Sequence, residues 1–497
     1  MKLSRKMTFS ENPQVRLMLL ALTLGVTGCA VGPKYRPPVI EAPPGYKEVG
    51  DWKPAQPNDQ NLGGDWWTVF QDPQLDALEQ QINVGNQNLK AAEAQFQQAR
   101  AAVRYNRADY YPTVTAGPSA TRTRISGNSP TSSILRGATY NDFVLPVDVS
   151  YQADVWGRVR KNVESYREQA QASAADLATI NLSMHADLAI DYFQARSLDA
   201  EEQLLNSTVT QYEQALQLTQ SRFEGGIASE VEVEQAKTQL QTTRAAAIDV
   251  GVARAQFEHA VAILIGKPPA EFSLPPLPLT APPPHIPVSV PSELLERRPD
   301  IAAAERRVAS ANAQIGVAKS AYYPTISLGA SGGFESSSIT TLLNGPSGLW
   351  SFGLSAVGTL FDGGRRHALT DQARAAYDFQ VSTYRQSVLS GFQQVEDNLA
   401  AVRILENEAK VQNEAVIAAQ NSLNLSITRY KGGVTSYLEV ITAQSAALTD
   451  EVTAVNILGR RMANTVLLIQ ALGGGWDRSS LPERPECCGK LASSSGN

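Results

Sequence analysis

From Phe143 to Val155, in FVLPVDVSYQADV, every odd position is apolar, while the even set includes Asp148, Ser150, Gln152 and Asp154. This period of two predicts a strand with one greasy and one wet face. TISLGASGGFE repeats it, with Ile326, Leu328, Ala330 and Phe334 against Thr325, Ser327, Ser331 and Glu335. WSFGLSAVGTLF puts Trp350, Phe352, Leu354, Ala356 and Leu360 on one side, and TVTAGPSATRTR from Thr113 is a weaker fourth case. A half-buried soluble sheet predicts strands of about 5 or 6 residues. These segments are nearer the 9 to 11 or so of a tilted membrane-spanning strand. They form two hairpins, within Thr113 to Trp156 and within Thr325 to Phe361, with Gly/Ser-rich connections such as SGNSPTSS and NGPSG. Four strands cannot close a barrel and open edges are not tolerated in hydrocarbon, so several chains must share one barrel.

Between the hairpins the pattern changes. Arg158 to Glu224 contains neither Gly nor Pro, and Arg365 to Lys431 is interrupted only by Gly391. Each run, as one continuous helix, would be about 100 Å long at 1.5 Å per residue. Leu182, Ala186, Ile190 and Phe193 recur at helical spacing, which favours coiled-coil packing over a thick globular core. An ordinary helical bundle would break such runs with turns every 20 or so residues.

The two halves repeat each other. YYPTV at Tyr110 returns as YYPTI at Tyr322, and RFEGGIASEVEVEQA at Arg222 returns as RYKGGVTSYLEVITA at Arg429. The register holds further on, because Gly473 follows Gly266 at the distance by which Gly432 follows Gly225. Each half therefore reads helix, hairpin, very long helix, Gly-Gly turn, helix. The first repeat covers 74–267, a Pro-rich linker covers 268–291, and the second repeat covers 292–477. The Pro, Gly and Ser content of 478–497, with Cys487 and Cys488, predicts a disordered tail.

The N-terminus adds a targeting signal. Lys2, Arg5, Lys6 and Arg16 precede an apolar run, Leu17 to Val26, too short to span a bilayer. Val26-Thr27-Gly28-Cys29 resembles the bacterial lipobox, so 1–28 reads as a lipoprotein signal peptide and 29–73 as a lipid-anchored segment beginning at Cys29. Ala30 is not the aspartate that retains such lipoproteins in the inner membrane, which implies delivery to the outer one.

Composition removes other classes. A net charge of −6 with 19% charged residues offers no basic face for nucleic acid. The three cysteines and four scattered histidines have neither the spacing of a metal site nor that of a disulfide framework. No phosphate loop, GxSxG elbow or HExxH helix is present, so neither an enzyme nor a cofactor is expected. Five methionines, three of them Met1, Met7 and Met18, do not support a methionine-lined copper route.

CAVGPKYRPP, WWTVFQDPQLDALEQQI, YQADVWGRVR, LERRPDIAAAERRVASANAQIGVAKSAYYPTISL, LFDGGRRHAL, RYKGGVTSYLEVITAQ and ALGGGWD together resemble the OprM/NodT lipoprotein branch of the TolC-like outer-membrane factors, from Cys29 to Asp477. The resemblance implies a mainly α protein with membrane β. Three chains would give a twelve-stranded barrel, four strands each, continued by a long α-helical coiled-coil tunnel in the periplasm. It implies the exit duct of a tripartite efflux pump, working with a periplasmic adaptor and an inner-membrane transporter of the resistance-nodulation-division type. The alternatives are a type I protein-secretion channel and a non-conducting, periplasm-spanning structural lipoprotein. The helix-reversing tips Gly225, Gly226, Ile227, Ala228 and Ser229, and Gly432, Gly433, Val434, Thr435 and Ser436, would dock the adaptor. Glu439, with Glu232 as its counterpart, would form the periplasmic gate. Thr442 stands where related channels often carry a second acid.

Overall fold

The computed structural model of the chain describes residues 31–40, 42–49, 64–128, 137–286 and 296–481. Cys29, Cys487 and Cys488 lie outside these residues. In chain order the main elements are α1 (Pro73–Gly85), α2 (Gln87–Arg107), β1 (Thr113–Ala116), β2 (Ser119–Arg124), β3 (Thr139–Ala153), α3 (Arg158–Glu224) and α4 (Glu230–Leu264). They are followed by α5 (Pro299–Ser320), β4 (Thr325–Ser336), β5 (Gly348–Val357), α6 (Arg365–Lys431) and α7 (Tyr437–Ala471). The two Gly-poor runs are single helices of 67 residues each, and both helices that follow them have 35 residues. Among the described residues no helix is long and apolar enough to cross a membrane.

The chain divides into two compact units. The first, residues 1–38, 97–171 and 305–382, holds the sheet. Its antiparallel order is β1–β3–β4–β5, with β2 also paired to β3. β1 and β2 are one strand in two pieces, because Gly117-Pro118 interrupts the ladder where proline has no N–H to donate. Cross-strand partners point to the same side. The register Val114↔Val149, Val149↔Ala330 and Ala330↔Phe352 therefore lines up one apolar face, on which Trp350, Phe352 and Leu354 are exposed. Asp148, Ser331 and Ser351 share the other face. β1 and β2 leave one long edge of this sheet unpaired and β5 the other.

Strand ends depart from the alternation. Leu360 lies past the end of β5 and is 98% exposed. Asp154 leaves the strand to cap α3, accepting from the N–H groups of Val159 and Arg160 at 2.9 Å each. Residues 31–38 are tied into this unit. Val31 N–H donates to the carbonyl of Trp156 at 3.1 Å, and the Tyr35 hydroxyl donates to Glu305 Oε1 at 2.5 Å.

The second unit, residues 39–96, 172–304 and 383–497, has a core built around Trp66, Leu75, Ile82, Leu188, Phe193 and Ile469. Ala186, Ala189 and Ala195, all fully buried, bring α3 close to its neighbours. The first repeat opens with two helices, α1 and α2. Asn86 breaks the run, accepting from Leu89 N–H at 2.9 Å and donating through Nδ2 to the carbonyl of Leu264 at 2.8 Å. Buried Arg196 bonds Asp199, the carbonyl of Pro275 and Gln74 Oε1, while Arg254 reaches the same Asp199. The Pro-rich segment after α4 is thereby held against the helices.

One buried pair was invisible in the sequence. Glu79 is fully buried, and its Oε2 lies 2.6 Å from His185 Nδ1, with Trp67 stacked on the imidazole at 4.5 Å. Burial, and then Asp76, push the Glu79 carboxyl up to about 9, while burial pushes His185 down to about 4 despite the opposing charge of Asp65. The contact has the distance of an ion pair, but with both groups desolvated it is a hydrogen bond between neutral partners, the Glu79 carboxyl donating to Nδ1.

Candidate hairpin tips, gate and sheet faces

The two helix reversals are built alike. After α3 the N–H of Gly226 donates to Phe223 and that of Ile227 to Arg222 at 2.8 Å; after α6 Gly433 donates to Tyr430 and Val434 to Arg429, both at 3.0 Å. The bonds from Ile227 and Val434 are six-to-one closures, which need a left-handed residue, supplied by Gly226 at φ 72° and Gly433 at φ 74°. Gly225, Ala228, Gly432 and Thr435 complete the two turns. Ile227, Val231, Val434 and Leu438 stand exposed around them. Beneath, Tyr430, Tyr437, Val440 and Ala236 form a small core. The Arg222 guanidinium lies 4.6 Å over the Tyr430 ring and donates to the carbonyl of Lys431 at 3.3 Å. A cavity of about 590 Å³ between α4 and α7 is lined by residues including Glu230, Val231, Glu234, Leu438 and Ile441.

The two proposed gate acids sit in different surroundings. Ser229 caps α4 in a capping box with Glu232, whose Oε2 accepts from Ser229 N–H at 3.2 Å. Its other oxygen accepts from Tyr437 N–H at 3.3 Å, so Glu232 ties together the starts of both returning helices. Ser436 begins α7 without a side-chain cap bond. Glu439 instead faces Arg429 at 3.8 Å, both half exposed, an ion pair worth less than about 1 kcal/mol. A duplicated glutamate thus became a structural tie in one half and a solvent-facing acid in the other. Sequence position alone could not separate them.

The sheet sorts its charges. On the described strands Asp142, Asp148 and Glu335 fall on the polar face, since Asp148 pairs with Ser331 and Glu335 with Val144. Arg122 and Arg124, opposite Asn141 and Thr139, fall on the face that carries Phe143, Leu145 and Val147. Alternation predicted the two faces; it did not single out the arginines.

A family model described as outer membrane efflux protein matches residues 78–267 and 290–474. The chain is similar to the toluene efflux pump outer membrane protein TtgF of Pseudomonas putida, 31% identical over 471 residues, covering 93% of this chain and 97% of that one. It is 28% identical over 465 residues to the cation efflux system protein CusC of Escherichia coli K12, covering 93% and 99%. Among solved structures it resembles the outer-membrane channel OprN with a TM-score of 0.85 and 28% identity, over 90% of this chain and 100% of that one.

Proposed function

This chain belongs to the outer membrane efflux protein family, and from that premise, which makes it an efflux duct of the Gram-negative outer membrane, we propose how it is assembled, partnered and gated. Three copies contribute four strands each to one twelve-stranded barrel, with the apolar face toward lipid and the polar face toward the lumen. The observation that carries this is the sheet itself, amphipathic across the β3–β4 and β4–β5 pairs and open along both long edges. The duct receives small toxic compounds from a periplasmic adaptor and an inner-membrane transporter of the resistance-nodulation-division type, which supplies the energy. It performs no catalysis and needs no cofactor. Purified trimer inserted in a planar bilayer is expected to conduct; a silent bilayer would leave only the structural reading.

The tips at Gly225 to Ser229 and Gly432 to Ser436 dock the adaptor, with Ile227 and Val434 as exposed apolar knobs. A bulky replacement at Gly433 is expected to weaken adaptor crosslinking at least several-fold while trimer yield stays normal. Unchanged crosslinking would move the dock elsewhere.

The gate lies at Glu439, with Glu232 bracing the helix start beside it. Three copies of an acid around a narrow axis draw cations. Glu439→Gln is expected to lower cation preference and weaken block by divalent or trivalent cations in single-channel recordings, with normal assembly. Selectivity and block equal to those of the parent would remove Glu439 from the gate.

The lipid anchor is Cys29. What supports an anchor beside the membrane sheet is that the Val31 N–H, two residues on, donates to the carbonyl of Trp156 just past the end of β3. Cys29→Ala is expected to abolish incorporation of labelled palmitate, and label retained in that variant would refute the anchor.

A further inference from the structure

We propose that Arg122 and Arg124 form a seat for the phosphate groups of outer-leaflet lipid A, on the lipid side of the barrel just above its hydrocarbon band. The inference rests on the outer-membrane barrel described above and uses the register of β2. Ala120 pairs with Phe143, Arg122 with Asn141 and Arg124 with Thr139. All of these positions share the side of the sheet that carries Leu145, Val147 and Val149.

The height of the seat follows from strand geometry. On β3 every position of this face from Ala153 to Phe143 is apolar, ten residue steps in all. At about 3.3 Å per residue the stretch covers about 33 Å along the strand, and with the usual tilt of roughly 40° that is about 25 Å along the barrel axis, the full height of an apolar membrane band. Position 141 is the next on this face and 139 the one after, and both are polar. Arg122 is therefore the first side chain of β2 past the hydrocarbon edge on the lipid side, and Arg124 the second.

Charge determines what meets them. Both arginines are exposed, and among the described residues neither has a carboxylate partner. The acids of the described strands, Asp142, Asp148 and Glu335, all project to the opposite face, so the sheet itself supplies no counter-charge. A guanidinium fork binds phosphate oxygens bidentately and is more weakly hydrated than an ammonium, which suits a headgroup interface. At that level the available anions are the lipid phosphates, and basic residues clustered beside a membrane span are drawn to such headgroups.

The test uses the full-length trimer in detergent, with bound lipid read by native mass spectrometry and by thermal stabilisation. Bisphosphorylated lipid A, its dephosphorylated counterpart and inorganic phosphate are the three probes. The parent protein is expected to retain the bisphosphorylated lipid and to be stabilised by it alone. The double substitution R122Q/R124Q is expected to weaken that binding about 30-fold, and R122K/R124K to recover part of it. Equal binding of the dephosphorylated lipid by the parent protein would overturn the proposal, and this comparison needs no variant. So would unchanged binding in R122Q/R124Q. Equal stabilisation by inorganic phosphate would show a free-anion site and likewise overturn it. Conductance in planar bilayers should match the parent in every variant; loss of conductance by the parent itself would fault the duct and not the seat.

Discussion

Replacing Gly473 by valine is expected to remove folded trimer from the outer membrane. Gly473 follows α7 at φ +95°, and a Cβ there would lie 2.0 Å from the carbonyl oxygen of Arg297. The left-handed backbone costs a branched side chain about 1–2 kcal/mol by itself. The steric conflict is with backbone, so no rotamer relieves it. Moving that backbone would disturb Arg298, which bonds Asp300, Gln394 Oε1 and the carbonyl of Ala471. Together these effects exceed about 4 kcal/mol, the range in which single substitutions unfold a domain. Gly266, its counterpart in the first repeat, is at φ +76° and would strike the carbonyl oxygen of Gly85 at 2.1 Å, so Gly266→Val should fail in the same way. Gly251, inside α4 with open space around it, is the control, and alanine there should stabilise by about 0.5–1 kcal/mol. Heat-resistant trimer on gels and urea midpoints report all three; trimer at parental level with Gly473→Val would contradict the packing argument.

Stability is expected to fall as pH rises from about 6.5 to 9, and Glu79→Gln should flatten that fall. With Glu79 at about 9 and His185 at about 4, the folded chain keeps one proton on this pair throughout that window. The unfolded chain, with the ordinary values of 4.5 and 6.5, has lost both protons by its upper end. The folded state therefore binds more protons, and stability declines with pH. Between 4.5 and 6.5 each state holds one proton and the pair contributes no slope. Below 4.5 the unfolded state gains the second proton first, and stability falls again toward acid. At 1.36 kcal/mol per unit the alkaline loss is on the order of 3 kcal/mol. The amide introduced by Glu79→Gln would still donate to His185 Nδ1, so the variant keeps the bond and loses the titration. Thermal midpoints at pH 6, 7, 8 and 9 check this, and parallel curves for parent and variant would show that Glu79 does not titrate there.

The periods of two and 3.6 are imposed on each segment by its own covalent geometry, and features that depend on them were legible in the sequence. The long helices end where Gly225 and Gly432 were read as reversals, and the alternation on β3 and β4 became the two faces of one sheet. The family resemblance likewise rested on the order of local motifs and was upheld. Features that join distant segments were not legible. Asn86 breaks the first helix because its side chain meets the carbonyl of Leu264. Glu232 and Glu439 occupy equivalent positions, yet one caps two helices and the other faces Arg429. Glu79 finds His185 only after two helices pack together and exclude water from both. Arg122 and Arg124 acquire a side only through the pairing of β2 with β3. Each of these depends on which groups packing brings within hydrogen-bond reach and on how much water remains, and tertiary structure alone decides both.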